Sequence, residues 1–320
     1  CEFTTLHGYE WSATPSYSHN HRNIIFRSSE VTEDPIDYLR YPTPLALWQA
    51  LEEQCLPEDG CEALAIPHNT NMGDGKSFDV ETESEDVILL RARYEKLVEI
   101  HQEKGSSECL HPFGSRDEDC NFQPYLTLNS VPKQASEFSE AEWRKMRSTY
   151  VRSLLGRGLR VYSSSGINPL QMGVIGSTDN HAGTGGFVEE EQWLGSVFGI
   201  GDLDRAMTRL DWNPGGIVGV WAEENRRGAI FDALKSREVF ATSGPRIQIK
   251  IEASAGSISC AEESRDSVPM GGEISKLAQA PSFKIQALYD NTPLQSIEII
   301  KGEFRDGDLK EHSIDVWQSL

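Results

Sequence analysis

The chain has 320 residues, 38% of them hydrophobic and 25% charged, with a mean hydropathy of −0.46 and a formal net charge of −20. A field of that sign repels a phosphate backbone and no Lys/Arg cluster interrupts it, which argues against a nucleic-acid partner but is compatible with a divalent cation. No apolar run approaches the roughly 18 residues that span a bilayer, so no membrane partner is expected, and the length allows one large domain or two.

The opening "CEFTTLHGYEW" has neither the basic start nor the apolar centre of a signal peptide. It is β-like from Phe3 to Trp11, and the chain is expected to begin inside a domain. A polar loop, "SATPSYSHNH", leads to the short strand "RNIIFR". "TPLALWQALEEQC" starts a helix, with Thr43 as cap, Pro44 in the first turn, and Leu45, Leu47, Trp48 and Leu51 on one face. "CEALAIPHN" is an apolar run of strand length, "SEDVILLRARYEKL" a helix capped by Ser84, and "LVEIHQ" another strand. Residues 105–138 read as loop. "SEAEWRKMRSTYVRSLLGRGL" reads as a helix with a Ser139/Glu142 capping box, ended by Gly156 or Gly158.

"MGVIGS" is a strand that delivers Asp179 and His181, and "NRRGAIFDALKSREVF" is an amphipathic helix. Alternating strands and helices predict an α/β layered or barrel fold with parallel strands over residues 1–246. From 247 to 320, "IQIKIEA", "PSFKIQALY" and "QSIEIIKGEF" alternate without helices, which predicts a smaller β-rich, sandwich-like module, expected to be incomplete because the chain stops at "DVWQSL" without an obvious end.

Six cysteines include the close pairs Cys55/Cys61 and Cys109/Cys120. Neither has CxxC spacing, and both local disulfides and free buried thiols remain open. The compartment also stays open, with a periplasmic or secreted protein favoured over a cytoplasmic one. Oligomeric state is not legible.

In parallel α/β folds ligands gather where strands end. Glu10 ends the first strand, His21 precedes "RNIIF", His68 ends "LAIP", and Asp179 and His181 form a D-x-H after "VIGS". Imidazole and carboxylate together suit Zn, Mn or Fe. Each has a plainer reading: Asp179 as a turn residue, His181 as a helix cap, His68 as a core histidine, Glu10 as a solvated edge residue. Glu99, within "LVEI", is more readily structural. His19 belongs to a polar loop, and His21 is the better ligand of the two because it abuts a strand. His7, His101, His111 and His312 read as structural. No G-x-S-x-G elbow and no P-loop is present.

The blocks "GYEW", "HRNIIFR", "LAIPHNTN", "LVEIHQEKGSSE", "INPLQMGVIGSTDNHAG", "GIVGVWAEENRRGAIFDALKSREVFATSGPRI" and "PLQSIEIIKGEF" cover nearly the whole chain. In them the chain resembles a bacterial family catalogued as a domain of unknown function, DUF3604. It also resembles the PHP (polymerase and histidinol phosphatase) superfamily of metal-dependent phosphoesterases. That resemblance implies a distorted (βα) barrel holding two or three metal ions. It implies Glu10 as a bridging carboxylate, with His21, His68, Asp179 and His181 as ligands. PHP proteins open with an H-x-H strand that is missing before Glu10, so the chain is expected to lack its first metal motif.

The expected function is a metal-dependent hydrolase of phosphate-type or sulfate-type esters, acting through a metal-activated water on a small anionic substrate. Arg22 and Lys104 are the expected catalytic cations, while Asn23, Asn69 and Arg246 are expected to bind substrate. The alternative is an inactive barrel whose β module binds a ligand or carbohydrate.

Overall fold

The computed structural model describes residues 3–15, 18–80, 83–111, 117–123, 139–142, 148–181, 183–189, 192–193, 212–260, 267–275, 277 and 279–319. Strands β1 (His7–Trp11), β2 (His21–Phe26) and β3 (Ala63–His68) make an antiparallel sheet in that order. The centre of the next sheet is β4 (Leu97–Gln102), flanked by β5 (Gly105–Ser106) and, in parallel, by β6 (Gly173–Gly176). An antiparallel pair follows, β7 (Ile217–Val220) with β8 (Val239–Thr242). Further along, β9 (Gln248–Ser254) lies between β10 (Val268–Pro269) and β11 (Ser282–Leu288). The last element is the hairpin β12 (Ser296–Arg305) and β13 (Asp308–Gln318).

The barrel expectation is overturned. Among the described residues the strands fall into five small separate sheets, none of which closes, and β4–β6 is the one parallel pairing. Alternation of strand and helix misled because a helix-bearing connection need not cross over. Helix α1 (Pro44–Gln54) lies between β2 and β3, yet the chain returns to the end it left, with Phe26 opposite Ala63 and Arg27 N donating to Glu62 O at 3.0 Å. The two strands are therefore antiparallel neighbours.

Local signals fared better than topology. Thr43 Oγ1 accepts from Ala46 N at 3.1 Å and caps α1. Ser84 precedes α2 (Glu85–Tyr94) but makes no side-chain cap bond. Ser139 and Glu142 form the reciprocal capping box, with Ser139 N donating to Glu142 Oε2 at 2.8 Å and Glu142 N to Ser139 Oγ at 3.3 Å. The part of that predicted helix at 143–147 lies outside the described residues.

Helix α3 (Val151–Ser165) runs past both glycines expected to end it and stops at Gly166, whose φ of 75° suits a left-handed cap. Gly158 serves close packing instead: a Cβ there would sit 2.3 Å from Asn168 Oδ1 and 2.8 Å from Leu170 Cβ. The helix expected over 225–240 is α4 (Arg227–Ser236), and its last apolar residues, Val239 and Phe240, belong to β8. Both close cysteine pairs are disulfides, Cys55–Cys61 and Cys109–Cys120. No helix among the described residues is long and apolar enough to cross a membrane.

Strand β3 is buried throughout, and its alternation serves two cores. Ala63 and Ala65 join Trp11, Ile24, Phe26, Leu47, Trp48 and Leu51. Leu64 and Ile66 face Leu97, Ile175, Phe231 and Leu234. A third core gathers Val98, Val151, Leu154 and Leu170 between β4 and the flanking helices. The β12–β13 hairpin rests on α3, with Leu309 against Gly156 and the Arg160 guanidinium 5.8 Å from the Phe304 ring centre.

Candidate metal centre

Directly opposed residues of an antiparallel pair share a face. Glu10 opposes Asn23, and His21 opposes His68. Alternation sends His21, Asn23 and Ile25 to one side of β2 and Arg22, Ile24 and Phe26 to the other. Glu10, His21 and His68 therefore emerge together from three adjacent strands. Glu10 Oε1 lies 2.7 Å from His21 Nδ1 and 3.4 Å from His68 Nε2, and one ligand atom of each residue lies within 4.8 Å of the others. His21 Nε2 meets Thr14 Oγ1 at 3.2 Å, which orients the ring with Nδ1 inward.

Burial works against ionisation of Glu10, but its contacts with His21 and His68 hold the carboxyl well below the usual carboxylate range. Burial also opposes a charge on His68, yet Glu10, Glu99 and Asp179 together raise it. Neither ring nitrogen of His68 makes a well-formed hydrogen bond, although the residue is 1% exposed. A buried imidazole whose nitrogens are without well-formed hydrogen bonds, beside a second imidazole and a carboxylate, has the donor chemistry of a divalent-metal site. These residues fit such an ion.

A second group lies alongside, at the ends of β4 and β6. Gly176 closes β6 where a Cβ would approach Thr242 O at 2.8 Å and Ile217 O at 2.9 Å, so only glycine lets the next residues turn inward. Ser177 then bonds to buried Glu99, and Glu103 N donates to Thr178 O at 3.2 Å. Asp179, at φ 51°, pairs with Lys104. Lys104 Nζ is also 3.6 Å from Glu103 Oε1 and 5.5 Å from the Trp212 ring centre. Asn71, in the turn after β3, ties the end of that strand to the end of β4, donating from Nδ2 to Lys104 O at 2.9 Å. Burial raises Glu99, and Asp179 adds to the effect. Burial likewise pushes Glu103 up to about 7, against the pull of Lys104.

Of the five predicted ligands, then, Glu10, His21 and His68 meet. Asp179 stands close enough to perturb His68 and Glu99, but its carboxylate is engaged by Lys104. His181 sits at the rim, 49% exposed, with Nδ1 3.9 Å from Glu103 Oε1. Asn23 shares the face of Glu10, as the register requires. Asn69 follows His68 in a left-handed turn at φ 55°, buried, with Oδ1 lacking a hydrogen bond.

Two predicted cations are elsewhere. Arg22 is fully buried on the opposite face of β2, bonded through Nε to Glu95 Oε1 at 2.8 Å and lying 5.9 Å from the Trp11 ring centre. It is a core residue, as strand alternation demands once His21 faces the site. Arg246 is exposed and lines a separate groove of about 310 Å³ with Trp221, Phe240 and Gln248.

Two residues were missed. His19 lies with its ring centre 4.7 Å from that of His21 and its buried Nδ1 without a partner, held there as its N donates to Met72 O. Burial and the nearby cationic groups depress its pKa to about 4. The literal H-x-H of "HNH" was the available signal. Glu103, 1% exposed with neither carboxylate oxygen hydrogen-bonded, had none beyond its place after β4.

The family described as protein of unknown function, DUF3604, matches residues 1–319. The chain belongs to this family. Comparison of this DUF3604 member with curated proteins and with solved structures finds no significant match. For it, the Glu10–His21–His68 group is a possible metal site resting on its own geometry.

Proposed function

We propose that this DUF3604 protein is a metal-dependent hydrolase of phosphate-type or sulfate-type esters, binding a divalent ion of the Zn, Mn or Fe class at Glu10, His21 and His68. The observation that carries the reading is the convergence of those three side chains from separate strands, with His68 buried and neither of its ring nitrogens in a well-formed hydrogen bond. The likeness of its sequence blocks to the PHP phosphoesterases supports the same reaction class. When bound, the ion would supply Lewis acidity towards an ester oxygen and lower the pKa of water.

The chain's own residues have separate tasks. Thr14 orients His21, and Asn69, which follows His68, offers a buried acceptor oxygen. Lys104 brings positive charge beside an otherwise acidic pocket, and Glu103 is positioned to take up a proton. Arg22 and Arg246 have no part in the reading.

The test is hydrolysis of aryl phosphate, phosphodiester and aryl sulfate by protein stripped of metal and reloaded with Zn, Mn or Fe. Activity should require metal, and His68→Ala should lose both the ion and more than about a hundredfold in kcat/KM, since even an outer partner of a metal ligand is worth ten- to a hundredfold. Absence of bound metal, or unchanged hydrolysis in His68→Ala, would refute the assignment.

A further inference from the structure

We propose that the Lys104 ammonium stands in for a second metal ion, so that the site holds a single divalent cation. This rests on the metal-site reading above and concerns how the rest of the pocket's charge is neutralised.

Four carboxylates share the pocket: Glu10, Glu99, Glu103 and Asp179. Glu99 and Glu103 are 2% and 1% exposed, too little for water to offset their charge. In a metal site such a group of acids at strand ends would be expected to gather around a further ion. Here Lys104 takes that position. Its side chain is 9% exposed, its Nζ bonds Asp179 Oδ2, and the same nitrogen lies 3.6 Å from Glu103 Oε1. The face of Trp212 covers it on another side at 5.5 Å. The backbone is fixed too: Lys104 N donates to Gln102 Oε1 at 3.1 Å, and its carbonyl accepts from Asn71. The ammonium is thus held in place by three independent partners.

Charge counting agrees. With neutral histidines, four carboxylates against one ammonium leave three negative charges. One divalent ion leaves one, which a single proton shared among the buried acids removes. A second divalent ion would overshoot, and it would have to approach Asp179 with a buried cation already bonded there. Without the ammonium the same four carboxylates balance two divalent ions. Removing the lysine charge should therefore open a second metal position from Asp179, Glu103 and their neighbours.

The experiment uses the full chain, stripped of metal, titrated with Mn²⁺ by calorimetry and followed by electron paramagnetic resonance. Wild type and Lys104→Arg should each bind one equivalent and give the spectrum of an isolated Mn²⁺. Lys104→Met, checked for native near-UV circular dichroism, should bind two and show a spin-coupled pair. Two or more equivalents in wild type would overturn the proposal and leave the hydrolase reading standing, as would a folded Lys104→Met that still binds one. Wild type that binds none would defeat the hydrolase reading itself. If Lys104→Met does not fold, the wild-type and Lys104→Arg stoichiometries decide the matter alone.

Discussion

Glu95→Ala is the sharpest test of what Arg22 does. Glu95 is 1% exposed and serves two guanidiniums at once, accepting from Arg22 Nε at 2.8 Å and from Arg91 Nη1 at 2.5 Å. Arg91 keeps Glu83 when Glu95 is lost, but Arg22 keeps only neutral acceptors, among them Ser77 O at 3.1 Å and Asn20 O at 3.2 Å. Removing one partner from a buried ion pair costs about 3–5 kcal/mol, because the other charge is stranded. At roughly 2–4 °C per kcal/mol for a domain of this order of size, Tm should fall by about 6–20 °C. Glu95→Gln keeps an acceptor for one guanidinium and should lose about half as much. Urea unfolding followed by circular dichroism is the assay, with the midpoint moving at constant slope. The folded variant should retain wild-type metal stoichiometry, since Glu95 lies across the sheet from His21. A loss under about 1 kcal/mol, or loss of metal without loss of stability, would refute the structural role of Arg22 and return it to the site.

Gly158→Ala should destabilise by about 1–3 kcal/mol through overpacking against Asn168 and Leu170, despite the roughly 1 kcal/mol by which helix propensity favours alanine. Gly156→Ala, whose Cβ would make an ordinary 3.5 Å contact with Leu309, should instead stabilise, so identical effects at both positions would contradict the packing described. Burial lowers His101 from 6.5 to about 4, so the folded state disfavours its protonation. Its contribution is whole above pH 6.5 and is lost as pH falls from there through 4, by about 3 kcal/mol in all. His101→Gln should flatten that arm of the stability–pH profile measured by urea unfolding, and an unchanged slope would show that other groups carry it.

The sequence by itself determined the local features. The caps at Thr43 and Ser139 and the strands around "RNIIF", "LAIPH" and "LVEIHQ" depend on residues close in the chain, whose chemistry acts without the rest of the fold, whereas the bonding of the two close cysteine pairs stays open until the structure shows both disulfides. The identity of Glu10, His21 and His68 as candidates was also legible, because polar ligands at the ends of apolar strands are conspicuous.

Only the tertiary structure decided which of these groups share a face. The direction of β3 beside β2 turned on where the connection between residues 27 and 62 returns, which no periodicity records, and that is why a parallel barrel was expected and an antiparallel sheet is found there. Register then put His21 opposite His68 and sent Arg22, one residue further, into the core behind them. Lys104 and Asp179 stand 75 residues apart in the chain. Their pairing exists because β4 and β6 lie side by side, and electrostatic partners of that kind are set by distance in space, to which spacing in sequence gives no access.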